Sequence, residues 1–237
     1  MTRPVWAEVD LGAVRDNVRL LVELVAPAEV CAVVKADGYG HGAVEVARAA
    51  VAAGATWLAV ALPDEGQALR AAGLHVPILL LSEPNGWDDV LAAGLTPTVY
   101  SAEAIAALAD LVGQAGPLGV HLKVDTGMHR VGVAPAAAAS RARQIVASGS
   151  LRLDAVWTHC PVADEPEHPF NQIQADRFDA VVAELRADGI EIPLVHAANS
   201  AAAIAHLNVK IIKYTARRPM VRQHAPLTQN HNRIAFT

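Results

Sequence analysis

Short runs of apolar residues alternate with longer amphipathic segments along most of the chain. Seven runs rich in β-branched residues predict strands, and the segments between them repeat apolar positions at helical spacing. This alternation is typical of parallel strands joined by helices, and the continuous apolar character of the runs indicates strands covered on both faces. The predicted strands cover residues 30–35, 57–61, 78–81, 96–100, 120–125, 153–158 and 194–197.

Two segments place apolar residues on one helical face, as helices that cover a sheet do. The first stripe consists of Val14, Val18, Leu21, Val22 and Val25. The second consists of Phe178, Val181, Val182 and Leu185. The segment 5–11 alternates like a strand and leads into the first helix. We expect it to be a strand that lies outside the barrel formed by the seven predicted strands.

The pattern changes near residue 207. Residues 208–214 form a short β-like run, and the rest of the chain is polar, with little apolar periodicity. An eighth strand and helix unit is therefore hard to find. We predict two parts: a barrel domain over 1–207 and a divergent tail over 208–237.

The composition narrows the class of protein. Hydrophobic residues make up 53% of the 237 residues and charged residues 18%, which predicts a globular fold with a large core. A net charge of −5, with no basic cluster before Arg217, argues against a nucleic-acid partner. The sequence has no signal peptide or membrane span that we recognise, so we expect a cytoplasmic protein. Cys31 and Cys160 suit reduced, mostly buried thiols, and we expect no metal site.

The first candidate for chemistry is a lysine at the end of an apolar run. Lys35 precedes the glycine-rich segment 36–42. Barrel enzymes place their chemistry at the carboxyl ends of the strands. Desolvation there lowers the pKa of a lysine, as an amine needs in order to bond to an aldehyde cofactor. The alternative is a solvated lysine beside an ordinary glycine-containing turn.

The second candidate is the segment 122–132, which brings two cations and a carboxylate to the end of another strand. Lys123 lies inside the apolar run, so we expect its side chain to point into the barrel, where an unpaired ammonium group is costly. Arg130 offers planar donors for an anionic oxygen. The alternative is a structural network of Lys123 with Asp125.

Polar residues follow two further strands. His159 comes directly after 153–158, and Asn199 and Ser200 follow 194–197. We expect Ser200 to cap the next helix, a role compatible with holding a phosphate. For His159, an ordinary hydrogen-bonded core histidine is the alternative. All of these groups lie at the same ends of parallel strands, so the sequence predicts one pocket.

At these positions the chain resembles alanine racemases. The run 32–42 is similar to the lysine motif by which that family binds pyridoxal phosphate, and 123–132 is similar to the family's second motif. The segments 157–159 and 196–200, and the opening 6–17, resemble further family motifs in the right order. The resemblance therefore covers most of the chain.

The resemblance implies a (β/α)₈ TIM-type barrel followed by a mostly β C-terminal domain, in a homodimer whose active sites combine both subunits. The implied activity is the interconversion of L-alanine and D-alanine, which supplies D-alanine for peptidoglycan. The implied cofactor is pyridoxal 5'-phosphate, held by Lys35 as an aldimine. Lys35 would then act as one of two bases on the substrate.

The resemblance also implies a role for each remaining candidate. Tyr39 and Ser200 would contact the phosphate, with Asn199 beside them, Arg130 would contact the phenolic oxygen of the ring, and His159 would lie beside the ring. Lys123 matches a lysine that is carbamylated in many family members. A carbamate would replace the buried cation by an anion that orients Arg130.

The chain departs from the family after residue 207. The family continues into an eighth strand with an arginine that meets the pyridine nitrogen, but 208–219 does not match that pattern, so we assign this role to neither Arg217 nor Arg218. The family's C-terminal domain carries the tyrosine that is the second base. We therefore expect the eighth strand and the C-terminal β domain to be missing or aberrant, and racemase activity to be weak or absent.

Two other functions remain open. A single-domain pyridoxal-phosphate-binding protein of cofactor homeostasis has about this length, although the regions of Lys35 and Arg130 look like those of a racemase. A non-catalytic interaction module on a degenerate barrel is the third hypothesis. The intact set of candidate residues argues against that hypothesis.

An incompletely closed barrel of seven strands predicts exposed strand edges, with 208–214 as a weak or non-native eighth strand. Exposed edges favour pairing with other chains, so the protein is expected to self-associate and the amides of 208–214 to exchange rapidly with deuterated solvent. Hydrogen exchange measured by mass spectrometry, together with sedimentation, tests this. Protected amides throughout 208–214 in a soluble monomer would show that the barrel closes.

Overall fold

Seven parallel strands, each followed by at least one helix, form the fold in a computed structural model that describes residues 7–205. The strands are β1 (Cys31–Val33), β2 (Trp57–Val60), β3 (Ile78–Leu80), β4 (Thr98–Val99), β5 (Leu118–Lys123), β6 (Leu151–Trp157) and β7 (Leu194–His196). Each predicted strand is present, although all seven end one or two residues earlier than predicted. In particular, β1 ends at Val33, so Lys35 lies in the following turn.

The helices that cover the strands follow the predicted alternation. They are α1 (Leu11–Val25), α2 (Lys35–Gly40), α3 (Ala43–Ala52), α4 (Pro63–Ala71), α5 (Asp88–Ala92), α6 (Ala102–Val112), α7 (Ala138–Ala147), α8 (Phe170–Ala187) and α9 (Ser200–Ala205). Both predicted apolar stripes face the core, on α1 and α8. Among the helices of the described part, none combines the length and apolar character needed to cross a membrane.

The strand predicted at 5–11 is wrong for the residues that the structure describes. Residues 7–10 form no strand, and Leu11 begins α1. The Asp10 side chain accepts hydrogen bonds from the N–H groups of Gly12 and Ala13, at 2.7 and 3.2 Å. This N-cap stabilises the helix start and outweighs the weak alternation of the sequence.

Neighbouring strands pair in chain order, from β1 to β3 and from β4 to β7. Thr96 joins the two groups, because its N–H donates to Ile78 and its carbonyl accepts from Leu80. Within 7–205, no strand pairs with the outer edge of β1 or β7. Helix α1 packs against α3 and α9, which lie near the first and last strands, and so bridges the two ends of the sheet. The predicted boundary at 207 and the run 208–214 lie outside the described residues.

Successive residues of a strand point to opposite faces of the sheet, so their burial shows which faces are covered. Ile78, Leu79 and Leu80 are all buried, as are Leu58, Ala59 and Val60 of β2. Both faces of these strands are therefore covered, as predicted. Parallel pairing also brings all the carboxyl ends to one edge, where the loops after the strands converge.

Candidate active site

A cavity of about 620 Å³ lies among the residues that follow the strands. All seven candidate side chains line it: Lys35, Tyr39, Lys123, Arg130, His159, Asn199 and Ser200. They come from the ends of β1, β5, β6 and β7 and from the loops that follow them. The structure thus brings together the groups that the sequence distributes over 166 residues, from 35 to 200.

Helix α2 is a left-handed turn. Residues 36–39 have φ between 51° and 62° and ψ between 37° and 50°, and three of them, Ala36, Asp37 and Tyr39, are not glycine. A left-handed conformation costs a non-glycine residue roughly 1–2 kcal/mol. At Gly38 a side chain would also meet the backbone of Ala43 at 3.2 Å. The turn therefore requires stabilising contacts.

Hydrogen bonds at both ends supply these contacts. The N–H of Gly38 donates to Val34 at 2.9 Å, and the Asp37 carboxylate accepts from the N–H of Ala43 at 2.8 Å. At the start of the turn, Glu65 Oε1 also accepts from the N–H of Ala36 at 2.6 Å. The turn leaves Lys35 half-buried, with Nζ 5.7 Å from the centroid of the Tyr39 ring.

Lys123 points into the barrel, as predicted, and is only 3% exposed. Its Nζ lies 3.8 Å from the centroid of the Trp157 ring, a cation–π contact. Burial, together with the positive charges of Arg130 and Lys35 and against the opposing charge of Asp125, lowers the pKa of Lys123 to about 8.

The predicted alternative of a Lys123–Asp125 ion pair is not observed. One oxygen of the Asp125 carboxylate accepts from the N–H groups of Gly127 and His129, at 3.0 Å each. Among the ion pairs of residues 7–205, none joins Asp125 to Lys123. Asp125 therefore shapes its own loop, and no other carboxylate among residues 7–205 forms an ion pair with Lys123.

His159 carries a neutral imidazole near pH 7. Burial, together with the positive charges of Lys123, Arg130 and Lys35, lowers the pKa of His159 to about 4. A hydrogen bond joins its backbone to α8, because Gln174 Nε2 donates to the His159 carbonyl and to Thr126 Oγ1, each at 3.1 Å. A neutral ring in a fixed position can pack beside a planar ligand without adding charge.

Two histidines, buried His121 and half-buried His196, form the floor beneath Lys123. His121 Nδ1 and His196 Nε2 are 3.1 Å apart, and His196 stacks on Trp157 with ring centroids 5.2 Å apart and an interplanar angle of 10°. Burial lowers the pKa of His121 to about 4, against the opposing charge of Asp154. Burial also lowers the pKa of His196 well below its usual value.

The cap that we predict for Ser200 is wrong. Asn199 caps α9, because its Oδ1 accepts from the N–H of Ala202 at 2.9 Å, whereas Ser200 is the first residue of the helix. Asn199 Nδ2 also donates to the carbonyl of Cys160 at 2.8 Å. The longer Asn side chain thus joins the loops after β6 and β7, and Ser200 remains at the cavity wall.

The charges around the cavity are unbalanced. Three cationic side chains line it, Lys35, Lys123 and Arg130, against one carboxylate, Glu29, which accepts a hydrogen bond from Thr56 Oγ1 at 3.0 Å. Within the described residues, no group of three His, Cys, Asp or Glu side chains could hold a metal ion. The cavity therefore suits an anionic organic ligand.

Sequence reasoning missed four residues that shape this site: Glu65, Gln174, His121 and Trp157. Glu65 stands three residues after Leu62, with Pro63 between them, which is a recognisable helix start. Gln174 is a polar residue on the apolar stripe of α8, one turn before Phe178. The two others lie inside apolar runs, where only the pairing of distant strands reveals their contacts.

Residues 9–219 match the family model described as "Alanine racemase, N-terminal domain". The chain belongs to this family. The match extends past residue 207, where we place the domain boundary, and that boundary stays a prediction.

Curated relatives agree with this family. The chain is 44% identical over 207 residues to the alanine racemase of Symbiobacterium thermophilum, a match that covers 86% of this chain and 55% of the relative. It is 46% identical over 209 residues to that of Desulforamulus reducens, covering 85% and 56%. The chain thus spans about half the length of the curated relatives it matches.

Solved structures show the same similarity. Alanine racemase from Streptomyces coelicolor A3(2) matches with a TM-score of 0.78 and 40% identity, over 84% of this chain and 55% of that one. The Bacillus anthracis enzyme with bound L-Ala-P matches with a TM-score of 0.81 and 33% identity, over 89% and 56%. The expected TIM-type barrel of this family is therefore the fold of the chain.

Buried His121 predicts a loss of stability in acid. The unfolded chain protonates histidine below about pH 6.5, and folded His121 only below about pH 4. The unfolded state binds more protons in this window, so the free energy of unfolding falls as the pH drops through it. When the pH is lowered from 7 to 5, the free energy of unfolding of His121→Gln is expected to fall by about 2 kcal/mol less than that of the unaltered chain.

Urea titrations at both pH values measure this difference. His75→Gln removes an exposed histidine and serves as the matched control, so it should lose as much stability as the unaltered chain. If His121→Gln shows that same full loss, the imidazole of His121 is not the group that titrates.

Proposed function

We propose that the cavity binds pyridoxal 5'-phosphate and that the chain supplies the barrel part of an alanine racemase, which interconverts L-alanine and D-alanine. The observation that supports this most is the position of Lys35. It lines the same cavity as Lys123, Arg130 and His159, on a fold whose relatives are named alanine racemases. These relatives favour a racemase over a single-domain cofactor-binding protein.

The residues present fit the cofactor. Ligand sites for small molecules typically have volumes of about 300–1,000 Å³, and the unbalanced positive charge suits a phosphate and a substrate carboxylate. Lys35 would hold the cofactor through Nζ, Tyr39 and Ser200 would contact the phosphate beside Asn199, and Arg130 would contact the ring oxygen. When bound, pyridoxal phosphate supplies an electron sink for charge on the substrate α-carbon.

In this proposal, the chain's own residues position the cofactor and the substrate, and Lys35 moves one proton. Lys35 Nζ takes a proton from the α-carbon on its face or returns one there. His159, neutral at the pH of the reaction, would lie beside the ring without repelling the positive charge of Arg130. Trp157 and Met128 line the cavity and limit the access of water.

We propose that Lys123 reacts with carbon dioxide. A pKa of about 8 leaves part of the amine neutral near neutral pH. The neutral nitrogen attacks the carbon of carbon dioxide, an N–C bond forms as one C=O π bond opens and its electron pair moves to oxygen, and one proton leaves the nitrogen for solvent. The resulting carbamate is an anion, which removes the repulsion among Lys123, Lys35 and Arg130 and can orient Arg130.

The family resemblance also supports a setting for this function. We propose that the chain works in the cytoplasm, as part of a homodimer, and that its product is D-alanine for peptidoglycan. Neither a nucleic acid nor a membrane is part of this proposal.

The bond between Lys35 and the cofactor can be tested directly. Addition of pyridoxal phosphate should produce a visible absorbance band, and borohydride reduction should leave the cofactor on Lys35 in peptide mass spectra. Lys35→Ala should abolish both signals, because the attacking amine is gone. Lys210→Arg alters another of the chain's four lysines and is the control. A band that survives in Lys35→Ala contradicts the assignment.

The second base is expected in the half of the relatives that this chain does not match. Purified on their own, residues 1–237 should therefore racemise alanine at less than about a thousandth of a full-length relative's rate, since absence of one acid–base group costs about 10²–10⁴-fold. One enantiomer should still exchange its α-hydrogen slowly with deuterated solvent. Proton NMR with D- and L-alanine, alongside a chiral product assay, measures both. Rapid exchange of both enantiomers, with interconversion at full-length rates, would refute this.

A further inference from the structure

The carboxylate of Glu65 joins the loops that follow β1 and β2. Glu65 lies in the first turn of α4 and is half-buried. Its Oε1 accepts from the N–H of Ala36 at 2.6 Å, in the left-handed turn after β1. Its Oε2 accepts from the N–H groups of Ala61 and Leu62, at 2.8 and 3.0 Å, in the loop after β2. One side chain therefore accepts three backbone hydrogen bonds from two separate loops.

The bond to Ala36 acts on the backbone of Lys35. A peptide unit is planar, so the N–H of Ala36, the carbonyl of Lys35 and the Lys35 Cα move as one rigid group. Fixing this plane fixes the rotation on the carboxyl side of Lys35 and with it the direction in which the side chain leaves the turn. Ala36 is also the first residue of the turn with a left-handed φ, 51°. Glu65 thus holds the turn where the strain begins.

Both carboxylate oxygens are needed for this arrangement. Each accepts from backbone N–H, on opposite sides of the group. A glutamine at this position has one oxygen and one NH₂ group, and the NH₂ group would face an N–H donor on one side. Glu65→Gln can therefore retain its bonds to only one of the two loops.

Two other contacts of the turn bond to different peptide units. The Asp37 carboxylate accepts from the N–H of Ala43 at the end of the turn, and the N–H of Gly38 donates to the Val34 carbonyl, which closes the backbone around Lys35 and Ala36. Neither bond engages the peptide unit between Lys35 and Ala36, which Glu65 holds through the N–H of Ala36. We propose that Glu65 is a positioning residue for Lys35, which aims Nζ at the cavity through the N–H of Ala36. This inference rests on the proposed function of Lys35.

The experiment compares Glu65→Gln and Glu65→Ala with Glu103→Gln in the full chain. Glu103 lies in the first turn of α6 and is exposed, so its replacement removes the same helix-end charge without touching the turn. The readouts are the dissociation constant for pyridoxal phosphate, the fraction of Lys35 trapped by borohydride, and hydrogen exchange of the peptide 34–44. All are measured at a temperature where circular dichroism shows every variant folded, so a role in stability alone would leave the dissociation constant unchanged.

Both Glu65 variants are expected to bind the cofactor at least about tenfold more weakly, with less trapped Lys35, since the loss of one hydrogen bond to a charged group is enough for a change of this size. Exchange at the amide of Ala36 should accelerate by a similar factor. Glu65→Ala should show the larger change, and Glu103→Gln should match the unaltered chain in all three readouts.

Each contrary result has a distinct meaning. An unaltered chain that traps no cofactor at Lys35 overturns the proposed function and this inference with it. If the unaltered chain binds and a folded Glu65 variant binds equally well, the positioning role alone is overturned. Should neither Glu65 variant fold, exchange in the unaltered chain decides, because an unprotected Ala36 amide shows that Glu65 does not hold the turn.

Discussion

The buried ammonium group of Lys123 is the constraint on which the site depends. A cation that is 3% exposed loses most of its hydration, and Arg130 and Lys35 add repulsion. The Trp157 ring, 3.8 Å from Nζ, offsets part of this cost, and no ion pair among the described residues offsets the rest. A fold retains such an imbalance when a ligand or a chemical modification supplies the missing negative charge. The low pKa of Lys123 and the anion binding that we propose thus have the same cause, the burial of this cation.

The same edge of the barrel carries a second cost in the left-handed turn at Lys35. Three non-glycine residues adopt a conformation that their side chains disfavour, and the carboxylates of Glu65 and Asp37, which accept from backbone N–H groups, compensate for it. The turn ends β1 before Lys35 and directs the chain back toward α3. Strain at this position is therefore part of how the lysine reaches the cavity, and the surrounding loops stabilise it.

Hydrophobic periodicity predicted the seven strands and the helices that cover them, because burial of both sheet faces leaves a strong local pattern. It also placed Lys35, Arg130, His159 and Ser200 at one edge. Local patterns failed where a specific hydrogen bond decides the conformation. Within the predicted strand 5–11, Asp10 caps a helix instead, and the cap of α9 is Asn199 rather than the predicted Ser200. Glycines at 38, 40 and 42 signalled a turn, but not that Ala36, Asp37 and Tyr39 share its left-handed φ.

The floor of the site shows why the sequence could predict which candidate residues lie together but not the contacts between their side chains. Lys123 is in register with Trp157, and Trp157 with His196, so three strands place these residues in one row. His121 lies two positions before Lys123 on β5 and faces the same side of the sheet, which brings it within 3.1 Å of His196. A shift of one residue in register would turn each of these side chains to the opposite face. The cation–π contact, the stacked ring and the imidazole pair therefore depend on strand register, a non-local property that no segment of the sequence encodes alone.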